Sequence, residues 1–411
     1  MRAPWSRREI AALIGVLALG ILLRVVLMPT EGFRGDMDQF VGWVHQIATS
    51  GLGELYDLTP AGAVAFGPVM GYVWAVLAAI DPGFQAAKDA SAVDTRILMK
   101  LPASIADVGM ALLIGYALRA RPQWAVAGAA LILLHPAVID VSSWWGQYES
   151  IYMLSALAAT ILAINGRNRW AAAMIAVSLL TKPQALPLLL PFAAWFWATG
   201  GWRGLAQATA VGAAVIVVLW LPFIAADGPT NYIANLGQYQ GDIFAFLSLR
   251  AWNVWWLVQE AAAGGRFITD SVPFLGPITL RHVGYAIVGL LELVLAIAVL
   301  RDPRPRTLIL ALAASVLVAF SFLTTMHERY AFGALVFLAM LIPELRFRWL
   351  SVGFGVVFTT NLLAAIPPTR EIGALLPIAG ALGVAGSFAM LAITVATLRE
   401  LPRGTAGHAA P

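Results

Sequence analysis

IAALIGVLALGILLRVVLM, residues Ile10–Met28, runs for nineteen residues with a single charge, Arg24. At about 1.5 Å per residue, a helix of that length crosses the roughly 30 Å hydrocarbon core of a bilayer. The run is too long for a removable signal peptide and lacks the small-residue cleavage pattern, so it reads as a retained span. Similar runs recur through the 411 residues, of which 60% are hydrophobic and 12% charged. A soluble domain carries roughly 25% charged residues, so this chain lacks the polar surface to face water all round. The expected architecture is an all-α polytopic membrane protein, one integral membrane domain over residues 1–411.

Arginines set the expected orientation. Clusters at Arg2/Arg7/Arg8, Arg119/Arg121, Arg167/Arg169, Arg203, Arg301/Arg304/Arg306, Arg346/Arg348 and Arg399/Arg403 mark cytoplasmic loops under the positive-inside rule. Between consecutive clusters lies an outward and a return span. The spans read as 9–28, 101–118, 123–141, 150–165, 169–181, 185–200, 207–224, 284–300, 307–323, 331–344, 350–366 and 374–397, about twelve helices with both termini inside. The apolar run 67–80 breaks the alternation and is short for a crossing, so it reads as a re-entrant or interfacial helix. Residues 29–100 then form one large extracytoplasmic loop with two membrane-lying helices. The first, about 37–49, has an apolar face of Met37, Phe40, Val41, Val44, Ile47 and Ala48. A second extracytoplasmic segment covers 225–283. The protein belongs in the plasma membrane as a multi-pass chain. Its net charge of +4 is explained by loop arginines, so nucleic acid is not a partner, and the absence of cysteine excludes disulfides and thiolate chemistry.

Four polar motifs fall at the outer ends of spans: Gly35-Asp36-Met37-Asp38-Gln39, Trp145-Gly146-Gln147-Tyr148-Glu149-Ser150, Thr181-Lys182-Pro183-Gln184 and His327-Glu328-Arg329-Tyr330. Each has an ordinary reading. Asp36 or Asp38 serves as a helix N-cap, Trp144 and Trp145 join an aromatic belt, and Lys182 snorkels to headgroups. Gln147 and Glu149 gain nothing at a lipid boundary and fit a polar cavity better. Positive charge is disfavoured in short outer turns, so Lys182 and Arg329 point to an anionic ligand, with phosphate the obvious one. An ionised carboxylate presented at the membrane surface, Asp36 or Asp38, suits a general base. Arg24 and Asp107 lie inside spans and are expected to pair, bracing the first span against the second. Glu292 has no partner legible in the sequence.

Together these residues resemble the GT-C superfamily of polyprenyl-phosphate-sugar-dependent glycosyltransferases. The likeness is strongest to bacterial relatives of the second mannosyltransferase of GPI-anchor synthesis. It extends more distantly to the glucosyltransferases that lengthen the dolichol-linked N-glycan precursor. The matching pieces are Gly35-Asp36-x-Asp38-Gln39 with Trp43, Lys100-x-Pro102 with Asp107, Trp145-Gly146-Gln147-x-Glu149-Ser150, Lys182-Pro183-Gln184, Asn253-x-Trp255 and His327-Glu328-Arg329-Tyr330, spread over residues 9–345. Glu149 departs from the aspartate of many bacterial relatives.

The resemblance implies a GT-C-like bundle whose large first outer loop carries the catalytic Asp36. It also implies an inverting transfer of a hexose, with mannose favoured, from a polyprenyl-monophosphate sugar to an acceptor hydroxyl on a glycolipid, glycan or protein. Around the phosphate it puts Arg329 and His327 first and Lys182 next. Gln147 and Glu149 would meet sugar or acceptor hydroxyls, with Asp38, Trp145, Gln184, Asn253, Glu328 and Tyr330 completing the substrate site. No cofactor is expected. Asp36, Asp38 and Glu149 offer an oxygen site to a divalent metal, but a monophosphate leaving group is handled by Arg, Lys and His, so a metal is not favoured. The competing readings are a lipid-linked sugar transporter or flippase, which calls for repeats and broken helices at the midplane, and an O-antigen ligase or polymerase, which places its large loop late in the chain. A non-enzymatic scaffold leaves the His-Glu-Arg-Tyr turn unexplained.

Overall fold

Ser6 opens the first helix, α1 (Arg7–Leu27), through a reciprocal capping box with Glu9. The computed structural model describes residues 5–57 and 62–402, so Arg2 and Arg403 lie outside the described residues. Most of α1 presents leucine, isoleucine and valine outward, whereas Arg24 is buried. The Arg24 guanidinium reaches Asp107 on α4 (Val93–Ala117), with Nη2 2.8 Å from Oδ2. Its Nη1 donates to the carbonyls of Gly20 and Leu133, 2.9 and 2.7 Å away. Asp107 also accepts from the hydroxyls of Ser142 and Ser150. The expected pair exists, and it ties together five stretches of chain. A buried ion pair is tolerated when its remaining hydrogen-bonding positions are filled in this way.

The segment after α1 holds two helices, α2 (Arg34–Ser50) and α3 (Pro68–Ile80). It ends at residue 92, because α4 starts eight residues before the expected span and runs through Pro102. The apolar face of α2 is covered by protein, not lipid: Met37, Phe40, Val41, Val44 and Ile47 cluster with Leu55, Phe66, Met70, Trp74 and Tyr148. An amphipathic pattern says that a face is covered, without saying by what.

The chain continues through α5 (Pro122–Leu133), α6 (Pro136–Ile139), α7 (Glu149–Ile164), α8 (Asn168–Thr181) and α9 (Leu189–Trp220). It then forms α10 (Gly228–Gln238), α11 (Val254–Ala263), α12 (Leu280–Arg301), α13 (Pro305–Phe322), α14 (Phe332–Leu341), α15 (Leu345–Ala365), α16 (Arg370–Leu375) and α17 (Ala381–Arg399). Each of the twelve segments read as spans carries helix. Among the described residues, seven helical stretches are long and apolar enough to cross a membrane, and an eighth comes from the pair Pro122–Leu133 and Pro136–Trp145, bent by 46°. One of the seven is the 44-residue run Pro183–Ala226. Gly201, at φ 61° and ψ −162°, breaks it where the sequence separates two spans. The helices α7, α8 and α14 are shorter, and all ten residues of α14 are buried inside the bundle. The last span begins at Ala381 instead of 374, because Gly380 at φ 75° interrupts the helix.

Two short sheets organise the chain around α11. The strands β1 (Ser248–Leu249) and β4 (Met326–His327) pair in parallel, and β2 (Pro273–Leu275) pairs antiparallel with β3 (Ile278–Thr279). Buried Asp270 reinforces the junction, holding Arg281 at 2.7 Å and accepting from the Thr324 hydroxyl at 2.8 Å. The His327–Tyr330 turn is thereby anchored to a segment about 75 residues earlier in the chain. Glu292, deep in α12, accepts from Ser315 at 2.6 Å.

Candidate active site

The geometry of α2 decides what its acids do. Phe33 is the N-cap and makes no side-chain bond, so neither Asp36 nor Asp38 acts as a cap: the helix begins two residues before Asp36. Asp36 Oδ2 instead accepts from Trp145 Nε1 at 2.9 Å and from the amide of Gln147. Those two donors flank Gly146, which follows a π-helical run, Asp140–Trp145. Such wide turns recur at functional sites. Gly146 stands at φ 93°, and a Cβ there would meet Met37 Sδ at 2.3 Å. Only glycine adopts that backbone freely while letting α2 rest directly on the turn.

Two cations converge on one carboxylate oxygen. Lys182, buried at the C-cap of α8, places Nζ 2.5 Å from Glu149 Oε1. Arg329 Nε lies 3.3 Å from the same oxygen without hydrogen-bond alignment, while its Nη1 is 3.1 Å from Glu328 Oε1. The Arg329 guanidinium also lies 5.1 Å from the Trp145 ring and 5.3 Å from the Tyr330 ring. Phe66 supports Lys182 from below at 5.1 Å. Its neighbour Gly67 makes this approach feasible: a Cβ there would lie 2.1 Å from the carbonyl oxygen of Leu180.

Burial pushes the Lys182 ammonium down to about 8, against the opposing pull of Glu149. Burial, helped by Arg329 and Lys182, holds His327 well below the usual imidazole range, so it is neutral. Burial raises the Glu328 carboxyl, with Arg329 opposing.

These groups border a cavity of about 410 Å³. Asp36, Gln147, Lys182, Gln184, Arg329 and Tyr330 give it a polar end, and Val316, Ala319, Phe320 and Leu323 of α13 give it an apolar one. Trp145, Glu149, His327 and Glu328 stand behind the polar wall and position it. Buried acceptor or donor atoms on Gln147 (Oε1), Glu149 (Oε2), Gln184 (Oε1) and His327 (Nε2) have no hydrogen-bond partner among the described residues. Unsatisfied buried polar atoms around one concavity point to a ligand that completes them.

The structure separates two candidates from this group. Asp38 accepts from Arg34 Nε at 3.0 Å and from the backbone N–H of Ala90 at 2.9 Å, fixing the segment after α1 to itself. Asn253 caps α11 by accepting from Trp256 N–H at 3.0 Å and donates to the Phe320 carbonyl at 3.1 Å, behind the apolar wall. Lys100, another matching position, donates to the Thr30 carbonyl at 2.7 Å and is structural. Among the described residues, no group of three or more His, Asp or Glu is placed to hold a metal ion.

The cavity also has residues given no role in the sequence reading: Gln39, quoted only as part of its motif, and Tyr239 and Phe244. Gln39 donates to the Tyr239 hydroxyl at 3.0 Å, Tyr239 donates to the Ala63 carbonyl at 2.8 Å, and Tyr239 stacks on Phe244 at 5.2 Å. Phe244 in turn meets His327 edge-on at 4.8 Å. This chain of contacts closes the outer side of the cavity. The signal for Gln39 was its spacing, since residue i+3 shares a helix face with Asp36.

No protein-family model and no curated protein sequence matches this chain. Among solved structures, ArnT from Cupriavidus metallidurans bound to undecaprenyl phosphate matches with a TM-score of 0.51 and 15% identity, over 94% of this chain and 76% of that one. The fold is GT-C-like. At this identity the likeness is one of architecture. Within this frame, α2 supplies Asp36, the loops after α6 and α8 supply Gln147 and Lys182, and the loop after α13 supplies Arg329.

Proposed function

We propose that the protein is an inverting glycosyltransferase. It moves a hexose, with mannose the favoured sugar, from a polyprenyl-monophosphate donor to an acceptor hydroxyl at the extracytoplasmic face of the plasma membrane. The observation that carries this reading is one cavity lined by an acid, Asp36, two cations, Lys182 and Arg329, and apolar side chains of α13. A lipid phosphate has this division of character, and the matching ArnT structure holds undecaprenyl phosphate.

The acceptor alcohol is a weak nucleophile until its proton is taken as it attacks. Asp36 Oδ1 takes that proton, because Oδ2 is occupied by Trp145 and Gln147. The acceptor oxygen bonds to the anomeric carbon from the face opposite the phosphate. The bond from that carbon to the phosphate oxygen breaks, and its electron pair leaves with the polyprenyl phosphate. Arg329 and Lys182 stabilise the charge that develops there. His327, being neutral, contributes hydrogen bonding and not charge. Gln147 and Gln184 offer free amide oxygens to sugar or acceptor hydroxyls. The reaction as written requires no metal. The carboxylates that would bind one are engaged: Glu149 with Lys182 and Arg329, Asp38 with Arg34.

The test is transfer by purified protein in proteoliposomes. It uses a panel of radiolabelled polyprenyl-phosphate sugars and a membrane extract as acceptor source. Label is expected to move from the mannose donor to a lipid, glycan or protein product. Asp36→Asn abolishes the transfer while donor binding persists. Transfer from no member of the panel, or full transfer by Asp36→Asn, overturns the reading.

A further inference from the structure

At the end of α8 remote from Lys182, the α7–α8 loop meets the Gly201 break of α9 and encloses a second concavity of about 510 Å³. Three guanidinium groups line it, those of Arg167, Arg169 and Arg203. None has a carboxylate within ion-pair distance among the described residues; Arg169 donates to Gln207 Oε1 at 3.3 and 3.2 Å. Of the arginines of other loops assigned to the same face, Arg304 is paired with Asp302 at 2.5 Å, Arg306 with Glu344 at 2.9 Å and Arg346 with Glu400, while Arg7, Arg8, Arg119, Arg121, Arg301, Arg348 and Arg399 also have no carboxylate partner among the described residues.

Positive charge in such loops follows from topology alone. Topology does not require arginines from two separate hairpins to converge on one hollow, nor the lack of any acid beside them. Trp170 and Trp202 flank the hollow at 68% and 66% exposure, and Arg203 lies 5.6 Å from the Trp202 ring. Exposed tryptophans favour headgroup depth, where an amphipathic ring meets both glycerol and acyl chain. Guanidinium forks match phosphate oxygens in shape and charge.

We propose that this hollow binds a phosphate-bearing anion, the headgroup of an anionic phospholipid in the leaflet opposite the candidate active site. The site is independent of the transfer reaction. Its ligand is a phosphodiester carrying a net negative charge, held by Arg167, Arg169 and Arg203, with its acyl chains running past Trp170 and Trp202. Basic pockets between membrane helices hold anionic lipids in this manner.

Delipidated protein in detergent, titrated with phosphatidylglycerol, phosphatidylcholine or inorganic phosphate and read by native mass spectrometry, tests the proposal. One phosphatidylglycerol is expected to remain bound where phosphatidylcholine does not. Arg167→Gln and Arg203→Gln each weaken its retention about fivefold, as loss of one juxtamembrane charge predicts. Arg203→Lys, which keeps the charge and the fold, weakens it less, and Arg306→Gln leaves it unchanged. Displacement of the lipid by millimolar inorganic phosphate keeps the phosphate site and overturns its assignment to a lipid. Equal retention of both lipids, or equal loss in Arg306→Gln, overturns the site itself.

Discussion

Asp36 and Trp145 stand 109 residues apart in the chain and 2.9 Å apart in space, the indole N–H donating to carboxylate Oδ2. With Gln147 on the same oxygen, the bond turns Oδ1 as the free face of the acid. Trp145→Phe keeps the ring but removes the donor. A hydrogen bond to a charged group is worth roughly 1.5–3 kcal/mol, so kcat is expected to fall about tenfold or more. Donor KM changes little, because the indole does not line the cavity. Steady-state kinetics in proteoliposomes check this split, and a change confined to KM contradicts it.

Glu149 holds Lys182 and Arg329 by one oxygen. Glu149→Gln releases both cations toward an incoming phosphate but no longer fixes their positions. Donor KM is expected to drop several-fold while kcat falls about tenfold, the pattern of ground-state binding gained without transition-state binding. Donor titration and single-turnover rates read the two effects separately. A rise in KM places Glu149 on the sugar instead.

Lys182 gives the reaction an alkaline limit. Burial lowers its ammonium from 10.5 to about 8, so the charge is present below that pH and lost above it. Activity is expected to decline as pH rises through about 8, and Lys182→Arg moves the decline upward because a guanidinium keeps its proton. The stability effect has the opposite sign. The unfolded chain binds more protons than the folded one between about 8 and 10.5, so stability from this group rises over that window and is lost as pH falls through it. A pH–rate profile beside thermal unfolding in detergent checks both directions.

Arg24 and Asp107 form a pair whose members are 2% and 0% exposed. Removing one partner of a buried pair typically costs about 3–5 kcal/mol, whereas replacing both with apolar residues is often neutral. Arg24→Met and Asp107→Leu are each expected to lower the unfolding temperature clearly, and the double replacement to recover most of the loss. A double variant worse than either single one removes the ion pair from its bracing role.

The polar group was legible because span parity puts Asp36, Gln147, Lys182 and Arg329 at matching ends of the expected spans, and the structure brings them to one cavity. Two acids at spacing i, i+2 looked equivalent in sequence. On a helix they point to different sides, so Asp36 enters the cavity and Asp38 turns to Arg34 and Ala90. Tyr239 and Phe244 were not legible. They reach the site through a bond to Gln39, 200 residues away, and only the folded path of the chain sets that distance. The helix boundaries that moved are at Val93, where Asp94, Arg96 and Lys100 hide the first turns of α4 from a hydropathy reading, and at Ala381, where Gly380 at φ 75° is the N-cap.

Eighty-three residues separate Arg24 from its carboxylate. Synthesis from the N-terminus delivers the guanidinium to the bilayer before its counterion exists. Arg24 sits in the last turn of α1, where an unpaired arginine costs less than the about 2.5–3.5 kcal/mol it costs at a helix centre on insertion scales. The leucine- and isoleucine-rich remainder of α1 must offset that cost while the ribosome is still working. The guanidinium gains its counterion only once residue 107 has emerged, so the order of translation sets when this brace can form.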